Sequence, residues 1–536
     1  MATPVASAWT NVGDFPALVS ETDDTGRIQR AVNMALSLQS LTARTSTVYL
    51  PTGAYLTSGA IYLDGSNPTA TTPSPRYTPF TLQITGTVVA GNSVTVAGSW
   101  TTPVAGSVSI TVVARDNIAA NWAVQIQRAI AANSTLAGLV YVQAGGTGNL
   151  TIYCAYDAVF TWPSPPARTG TAIITITPGT SPAAARIGSP RIRIVGDGVF
   201  ESAVTTGAND GFILPQSTGG FLPQTLFNFE EFSISGPNAP SGAAATPIYG
   251  IRLRGQGNVS QQYLYNVSFE DIYLKWFNYG IAVEFSYGTA IADATIEACI
   301  VDVKLYDSGA ALISDCTFSV NDTLSTPGPA IWILGQNGTA GDALSEGVTL
   351  GNIITNRYHI GLKIQDQSWG AASTCSFTTC AGGALVMSRN AAGGTITGWQ
   401  FSACQFNASE TVTAITTDSY TAQLQFSGCF IVNSKDGMQL GSGTWSGNAT
   451  QILVSGTQFV GNTGNDITLA GANMCNFNGN LFVSTNLPAT QFSVLEQPLV
   501  YSSLMPGVNY IVGNSYYRPI TLVAGAYSQQ ASNFYV

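Results

Sequence analysis

The chain has 536 residues, of which 45% are apolar and only 9% charged, with a net charge of −10. That balance excludes a Lys/Arg-rich surface that displaces counterions from nucleic acid, and it disfavours docking on an anionic membrane. Plentiful aromatics argue against disorder, and many short strands joined by small polar turns fit the composition better.

The first fourteen residues contain no basic segment followed by an apolar one, so no signal peptide is expected. No apolar run reaches about 18 residues, so no membrane insertion is expected. The eight cysteines form no C-x-x-C pair and sit among strand residues, as in Cys404-Gln405-Phe406. They read as small buried hydrophobes in a reducing compartment. His359 is the sole histidine, and neither zinc spacing nor a phosphate-cradling glycine motif is present. No metal or cofactor is expected.

In chain order, Asp24 is a good N-cap for a helix carrying Ile28, Val32 and Leu36 on one side. Residues 47–55 read as strand, tight turn and strand, so 1–79 form an N-terminal cap and the first strands. Residues 80–178 break this pattern. Alternating strands precede a helix capped by Asp116, with Ile118, Trp122, Ile126 and Ile130 recurring every four residues, and further strands follow. This segment reads as an inserted α+β domain between Pro-rich flanks. Over 179–486, short strands ending in Gly or Asn recur at about 20 to 30 residues, as in Phe426 to Asn433 and Asn476 to Phe482. A strand-only repeat of that length predicts a β-solenoid. Asn407, Asn433, Asn462 and Asn480 near the strand ends predict asparagine ladders at the turns. Residues 487–536 are rich in tyrosine (Tyr501, Tyr510, Tyr516, Tyr517, Tyr527, Tyr535) and read as a cap, a subunit contact, or both.

Two motifs carry a family resemblance. Asp23-Asp24-Thr25 with Ile28-Gln29-Arg30-Ala31, followed by Val48-Tyr49-Leu50-Pro51-Thr52-Gly53-Ala54-Tyr55, resembles the opening of the pectate-lyase-like β-helices of phage tailspikes and depolymerases. Arg193 to Gly198 resembles the next signature of that family. Val89 to Val96, Ile110 to Ala119 and Ala129 to Asn133 resemble a small domain of phage virion proteins. The resemblance implies an all-β, right-handed parallel β-helix with an N-terminal capping helix and the α+β insert. It also implies a homotrimer in the phage tail, with other tail proteins and a bacterial surface polysaccharide as partners. No separate particle-binding domain is visible, which departs from a full tailspike.

The candidate chemistry sits where acids and rings coincide. Phe229-Glu230-Glu231-Phe232 is echoed by Phe269-Glu270-Asp271-Ile272. Stacking these segments sets Glu230 beside Glu270 and Glu231 beside Asp271. Four carboxylates on one outer patch favour a shared proton, and so a general acid. Glycoside hydrolysis needs one protonated and one ionised carboxyl, and neighbouring rungs provide the spacing. The same residues also serve as solvated side chains at rung turns. Tyr273, Trp276, Tyr279 and Tyr287 offer rings to sugar faces. Aligning Asn278-Tyr279-Gly280 with Asp307-Ser308-Gly309 places Asp302 beside Tyr273 and Lys275 beside Lys304. Those lysines pair with Asp302 and Asp307, or with Arg252 and Arg254 they hold an acidic sugar. Three functions follow: a phage tailspike that binds and hydrolyses a capsule, exopolysaccharide or O-antigen; a polysaccharide lyase using Lys275, Lys304, Arg252 or Arg254; or a non-enzymatic receptor-binding fibre.

Overall fold

Alternating aliphatic residues on short strands leave each coil unable to bury its apolar side alone, so stability comes from stacking. The computed structural model describes residues 9–535 apart from 16–21, 43–44, 65–76, 101–104, 137–139, 145–147, 156–159, 180–190, 216–224, 239, 241–246, 256–262, 321–327, 336–345, 391–393, 443–448, 485–490, 497–508, 517 and 522–528. Tyr501, Tyr517 and Tyr527 lie outside the described residues. The chain forms two compact units, one of residues 1–197 with 201–203 and a second of 198–200 with 204–536.

In the first unit, Ser46–Tyr49 pairs in parallel with Trp9–Asn11 on one side and Arg191–Val195 on the other. The helix Thr25–Thr42 buries Ile28, Val32, Ala35 and Leu36. The carboxylates at its start reach further than a cap. Asp23 accepts from Thr25 N and Ser58 N, and Asp24 accepts from Leu56 N at 3.0 Å, tying the helix to the strand Gly53–Thr57. The Asp197 carboxylate accepts from Tyr49 OH and from Thr52 N (2.7 Å) and Oγ1 (2.8 Å). These bonds hold it below its ordinary pKa, Tyr49 contributing most. Two motifs far apart in sequence are thus joined at one tight turn.

The same unit contains two antiparallel sheets. Tyr77–Thr85 lies between Asn149–Ala155 and Ile173–Pro178, and Val140–Ala144 pairs beyond Asn149–Ala155. Ser93–Trp100 pairs with Gly106–Val113, Phe160–Thr161 and Ala167–Arg168. The helix Ala119–Ala131 buries Trp122, Ile126 and Ile130, whereas Ile118, the first of the four-residue series, precedes the helix and is exposed. Asp116 is not the cap: the N-cap is Ile118, which has no side-chain capping bond, and Asp116 instead accepts from Ile118 N at 2.9 Å in the turn ahead of the helix.

Among the described residues of the second unit, strands pair in parallel with counterparts in neighbouring coils. The coil length is 22 residues from Ser286 to Ser308, 28 from Cys429 to Thr457 and 34 from Asn480 to Asn514. Each coil has three flat faces. In the coil starting at Tyr279 the first face is 279–284, the second 289–292 and the third 295–297. Inward side chains stack in columns. Phe229 lies over Phe269 at 5.2 Å between ring centres, and Phe401 over Phe426 at 4.9 Å.

One left-handed residue turns the chain from the second face to the third. The register aligns Glu231, Asp271, Asp293, Asp315, Asn352, Thr374 and Ala403, then Gly428, Gly456, Gly479 and Gly513, all with positive φ. Glycine meets that demand without strain, and Asp and Asn tolerate it better than most residues. The next position points inward and is filled by Cys375, Cys404 and Cys429, then Thr457, Asn480, Asn514 and Asn533. There Thr457 N donates to Asn480 Oδ1, Asn480 N to Asn514 Oδ1 and Asn514 N to Asn533 Oδ1, at 2.9–3.0 Å. This is the asparagine ladder that Asn480 suggested. Asn407 and Asn462 likewise accept from backbone N–H groups, of Thr379 and Ser434. All eight cysteines are buried and free. Parallel pairing continues past residue 486 to Phe534–Tyr535, which pairs with Ser515–Tyr516.

Candidate functional site

Pairing of Leu226–Ser235 with Leu264–Lys275 sets Glu230 opposite Glu270, and places Glu231 and Asp271 together at the corner. Glu231, Glu270 and Asp271 are exposed and Glu230 is half-buried. The Glu column stops there, since Ala292 follows Glu270 in register. The corner column continues through Asp293 and Asp315 to Asn352, whose Nδ2 donates to Asp315 Oδ1 at 2.8 Å. The acids at Asp271, Asp293 and Asp315 therefore have a conformational reason for being there.

Asp302 is not part of that patch. It is fully buried, accepts from Tyr358 OH, and leaves Oδ1 without a partner. Burial pushes its carboxyl well above the usual range. Tyr273 pairs with Thr295 instead, and its OH donates to Glu297 Oε2 at 2.6 Å. Lys275 pairs with Glu297 and Lys304 with Ala282, so the two lysines are not neighbours. Asp307 is buried as well, accepting from Tyr263 OH, and holds neither lysine. The cause is register. Tyr279 pairs with Val301, seven residues from Ser308, and an odd slip exchanges inside for outside.

The remaining rings fall into separate groups. Lys275 Nζ lies 4.3 Å from the Trp276 ring centre and 5.7 Å from that of Tyr273, and Phe200 packs on Tyr273 at 6.2 Å. Trp276 itself has φ 66°, an uncommon conformation for so bulky a residue. Tyr287 is 42% exposed and lies 6.2 Å from Tyr265. Phe277 is wholly buried.

The densest group of cations and rings lies on the outward side of the first face. Strands 249–254, 279–284, 301–306, 329–334 and 360–365 stack in register. Their inward residues are aliphatic (Ile251, Leu253, Val303, Leu305, Ile331, Leu362). The outward ones include Arg252, Arg254, Glu284, Lys304, Tyr306, Trp332 and Lys363, with Ala282, Leu334 and Gln365 at the remaining places. Close approach of consecutive coils is needed at the entry to the face. A Cβ on Gly280 would come within 2.7 Å of the Asp302 carbonyl oxygen. Beside that glycine Tyr249 and Tyr279 stack at 4.9 Å, and Arg252 lies 4.3 Å over the Tyr249 ring.

Glu284 organises the arginines. It is 4% exposed, with Oε1 3.2 Å from Arg252 Nη2 and Oε2 2.7 Å from Arg254 Nε. A carboxylate this buried is tolerable because two guanidiniums cover it. Lys304 Nζ stands 5.5 Å from the ring centres of Tyr279 and Trp332 and 5.8 Å from that of Tyr306. Burial lowers its pKa, and Glu284 partly offsets the effect. Asp210 lies at the head of the strip and accepts from Tyr249 N at 2.8 Å. Burial raises its pKa, against that hydrogen bond and the nearby Arg252 charge. Among the described residues no group of three or more His, Cys, Asp or Glu side chains forms a metal site.

Asp210, Tyr249, Glu284, Tyr306, Trp332 and Lys363 escaped the sequence reading. The signal was the phase shared by Ile251-Arg252-Leu253-Arg254, Val303-Lys304-Leu305-Tyr306, Ile331-Trp332-Ile333 and Leu362-Lys363-Ile364, each with an aliphatic residue on the inner side. Alignment on those aliphatics brings the cations and rings together.

No curated protein matches the sequence. Among solved structures, the A-module of a mannuronan C-5 epimerase from Azotobacter vinelandii is similar over 98% of this chain and 99% of its own, at 12% identity and a TM-score of 0.49. The tailspike of E. coli bacteriophage HK620, solved with a pentasaccharide, covers 64% of this chain and 69% of its own, at 12% identity and a TM-score of 0.41. The catalytic unit of a GH87 α-1,3-glucanase from Streptomyces thermodiastaticus covers 82% and 87%, at 12% identity and a TM-score of 0.36. Residues 241–401 match the family model described as a right handed beta helix region, and with the parallel coils this makes the fold a right-handed parallel β-helix.

Proposed function

We propose that this chain is a phage tailspike that binds a bacterial surface polysaccharide along the first face of its β-helix and hydrolyses it there. The observation that carries the reading is the strip of Arg252, Arg254, Lys304 and Lys363 interleaved with Tyr249, Tyr279, Tyr306 and Trp332 on successive coils. Such a strip offers charge-assisted donors and amphipathic rings along one line, which suits a long polar chain. Glycoside hydrolysis needs a carboxyl that stays protonated near neutrality. On this strip burial shifts the Asp210 carboxyl toward its protonated form, the direction a general acid requires. The Glu230 and Glu270 pair lies on the second face and makes the rival site.

The test is incubation of the full chain with capsules, exopolysaccharides and O-antigens from a bacterial panel, with mass spectrometry of the products. Saturated oligosaccharides of defined length, lost in Asp210→Asn and kept in Glu270→Gln, are the expected result. Products with an unsaturated end replace hydrolysis by elimination, with Lys304 as the base. No cleavage of any glycan leaves a receptor-binding spike. The tailspike reading also includes a homotrimer held in a virion tail, and light scattering that gives a monomer at micromolar concentration contradicts it.

A further inference from the structure

Lys304, Trp332 and Lys363 occupy one register position on three successive coils. The column is bounded, since Ala282 precedes Lys304 and Val386 follows Lys363. Two rungs separate the lysines, about 9–10 Å at the backbone. Their ammonium groups lie 5.5 and 4.9 Å from the Trp332 ring centre. The ring is fixed in turn, because its Nε1 donates to Gln365 Oε1 at 2.9 Å.

The ring holds each ammonium by its π face, which consumes no N–H donor. Among the described residues neither lysine makes an ion pair or a side-chain hydrogen bond. Six donors at two fixed points are thus unspent. Burial lowers the pKa of both lysines, and a bound anion would restore the charged form. One small anion cannot touch both ammoniums across the indole. A ligand that satisfies both needs acidic groups about two rungs apart. In a pyranose chain lying along the coil axis, that spacing is comparable to one disaccharide.

We infer that Lys304 and Lys363 form a two-point clamp for a polysaccharide that runs along the coil axis and carries an acidic group on every second sugar. The inference rests on the reading of the first face as the glycan site, and it names the class of glycan.

The test uses the full chain and two probes with the same backbone: hyaluronan decasaccharide, with a uronate on alternate sugars, and its carboxyl-reduced, uncharged derivative. Binding is measured by calorimetry for the wild type, Lys304→Gln, Lys363→Gln and Trp332→Phe, with thermal melts as a check on folding. Hyaluronan is expected to bind, and the reduced form to bind at least tenfold more weakly. Each lysine variant should lose about tenfold or more, the loss expected for one charge-assisted contact. Trp332→Phe should lose less, because a phenyl ring still offers a face. Failure of hyaluronan to bind, or unchanged binding in both lysine variants, overturns the clamp. Equal binding of the reduced probe also overturns it but leaves the proposed glycan function standing. That function fails separately if no polysaccharide of the bacterial panel is bound or cleaved.

Discussion

On the first face, Arg252, Arg254, Lys304 and Lys363 project from strands, none of the four is left-handed, and their backbone makes no demand for a charged residue there. At the corner between the second and third faces, Glu231, Asp271, Asp293 and Asp315 sit where the backbone is left-handed. Along that column the acids give way to Asn352 and later to Gly428, Gly456, Gly479 and Gly513, which meet the same conformational demand with no charge at all. A charge that glycine replaces further along the column is explained by backbone geometry. A charge that covers a buried Glu284, or stands unpaired beside a tryptophan, is not. Both regions stack ionisable groups at the rung spacing, so stacking alone does not identify a site.

The largest effect expected is on turnover. Asp210→Asn should lower the rate of glycan cleavage by roughly 10²–10⁴-fold, the range of a lost general acid. Glu270→Gln and Glu230→Gln should stay within about twofold of wild type. A collapse of activity in the Glu270 variant would move the site to the second face.

Stability separates the regions next. Asp271→Val forces a β-branched residue into the left-handed corner and should cost about 1–2 kcal/mol in denaturant unfolding, whereas Asp271→Gly should cost less or stabilise. If glycine were as damaging as valine, the carboxylate rather than the backbone would account for Asp271. Removing one partner of the Glu284 cluster should cost more than either, about 3–5 kcal/mol for Glu284→Gln, because two guanidiniums lose their counter-charge.

The interior provides a third kind of acid. Asp466 is 0% exposed, accepts from Asn462 Nδ2 and Ser484 Oγ, and has its pKa pushed up to about 6 by burial. Because the folded value is raised, its contribution to stability is complete below about pH 4 and is lost as the pH rises through about 6. Melting temperature should therefore fall across that window in the wild type and fall less in Asp466→Asn. Equal pH profiles would show that Asp466 does not titrate there.

The fold was legible because period, turn residues and inward aliphatics all agree on a solenoid. The Glu230 and Glu270 pairing was legible too, since both segments repeat the same aromatic frame. Asp302 was misplaced because Asn278-Tyr279-Gly280 resembles Asp307-Ser308-Gly309 in composition, while the coil length of 22 residues sets a different register. Asp210 and Glu284 were invisible for another reason. Each acquires its character from neighbours one or two coils away, and those distances are short only after stacking.

The central claim, that the first face holds the glycan, is tested most directly by chemical acetylation of lysines with and without a polysaccharide that the protein cleaves, read by mass spectrometry. Lys304 and Lys363 should become protected, while Lys275 on the third face and the exposed Lys435 keep their reactivity. Protection of Lys275 with Lys304 and Lys363 unchanged would contradict the account and place the glycan on the third face.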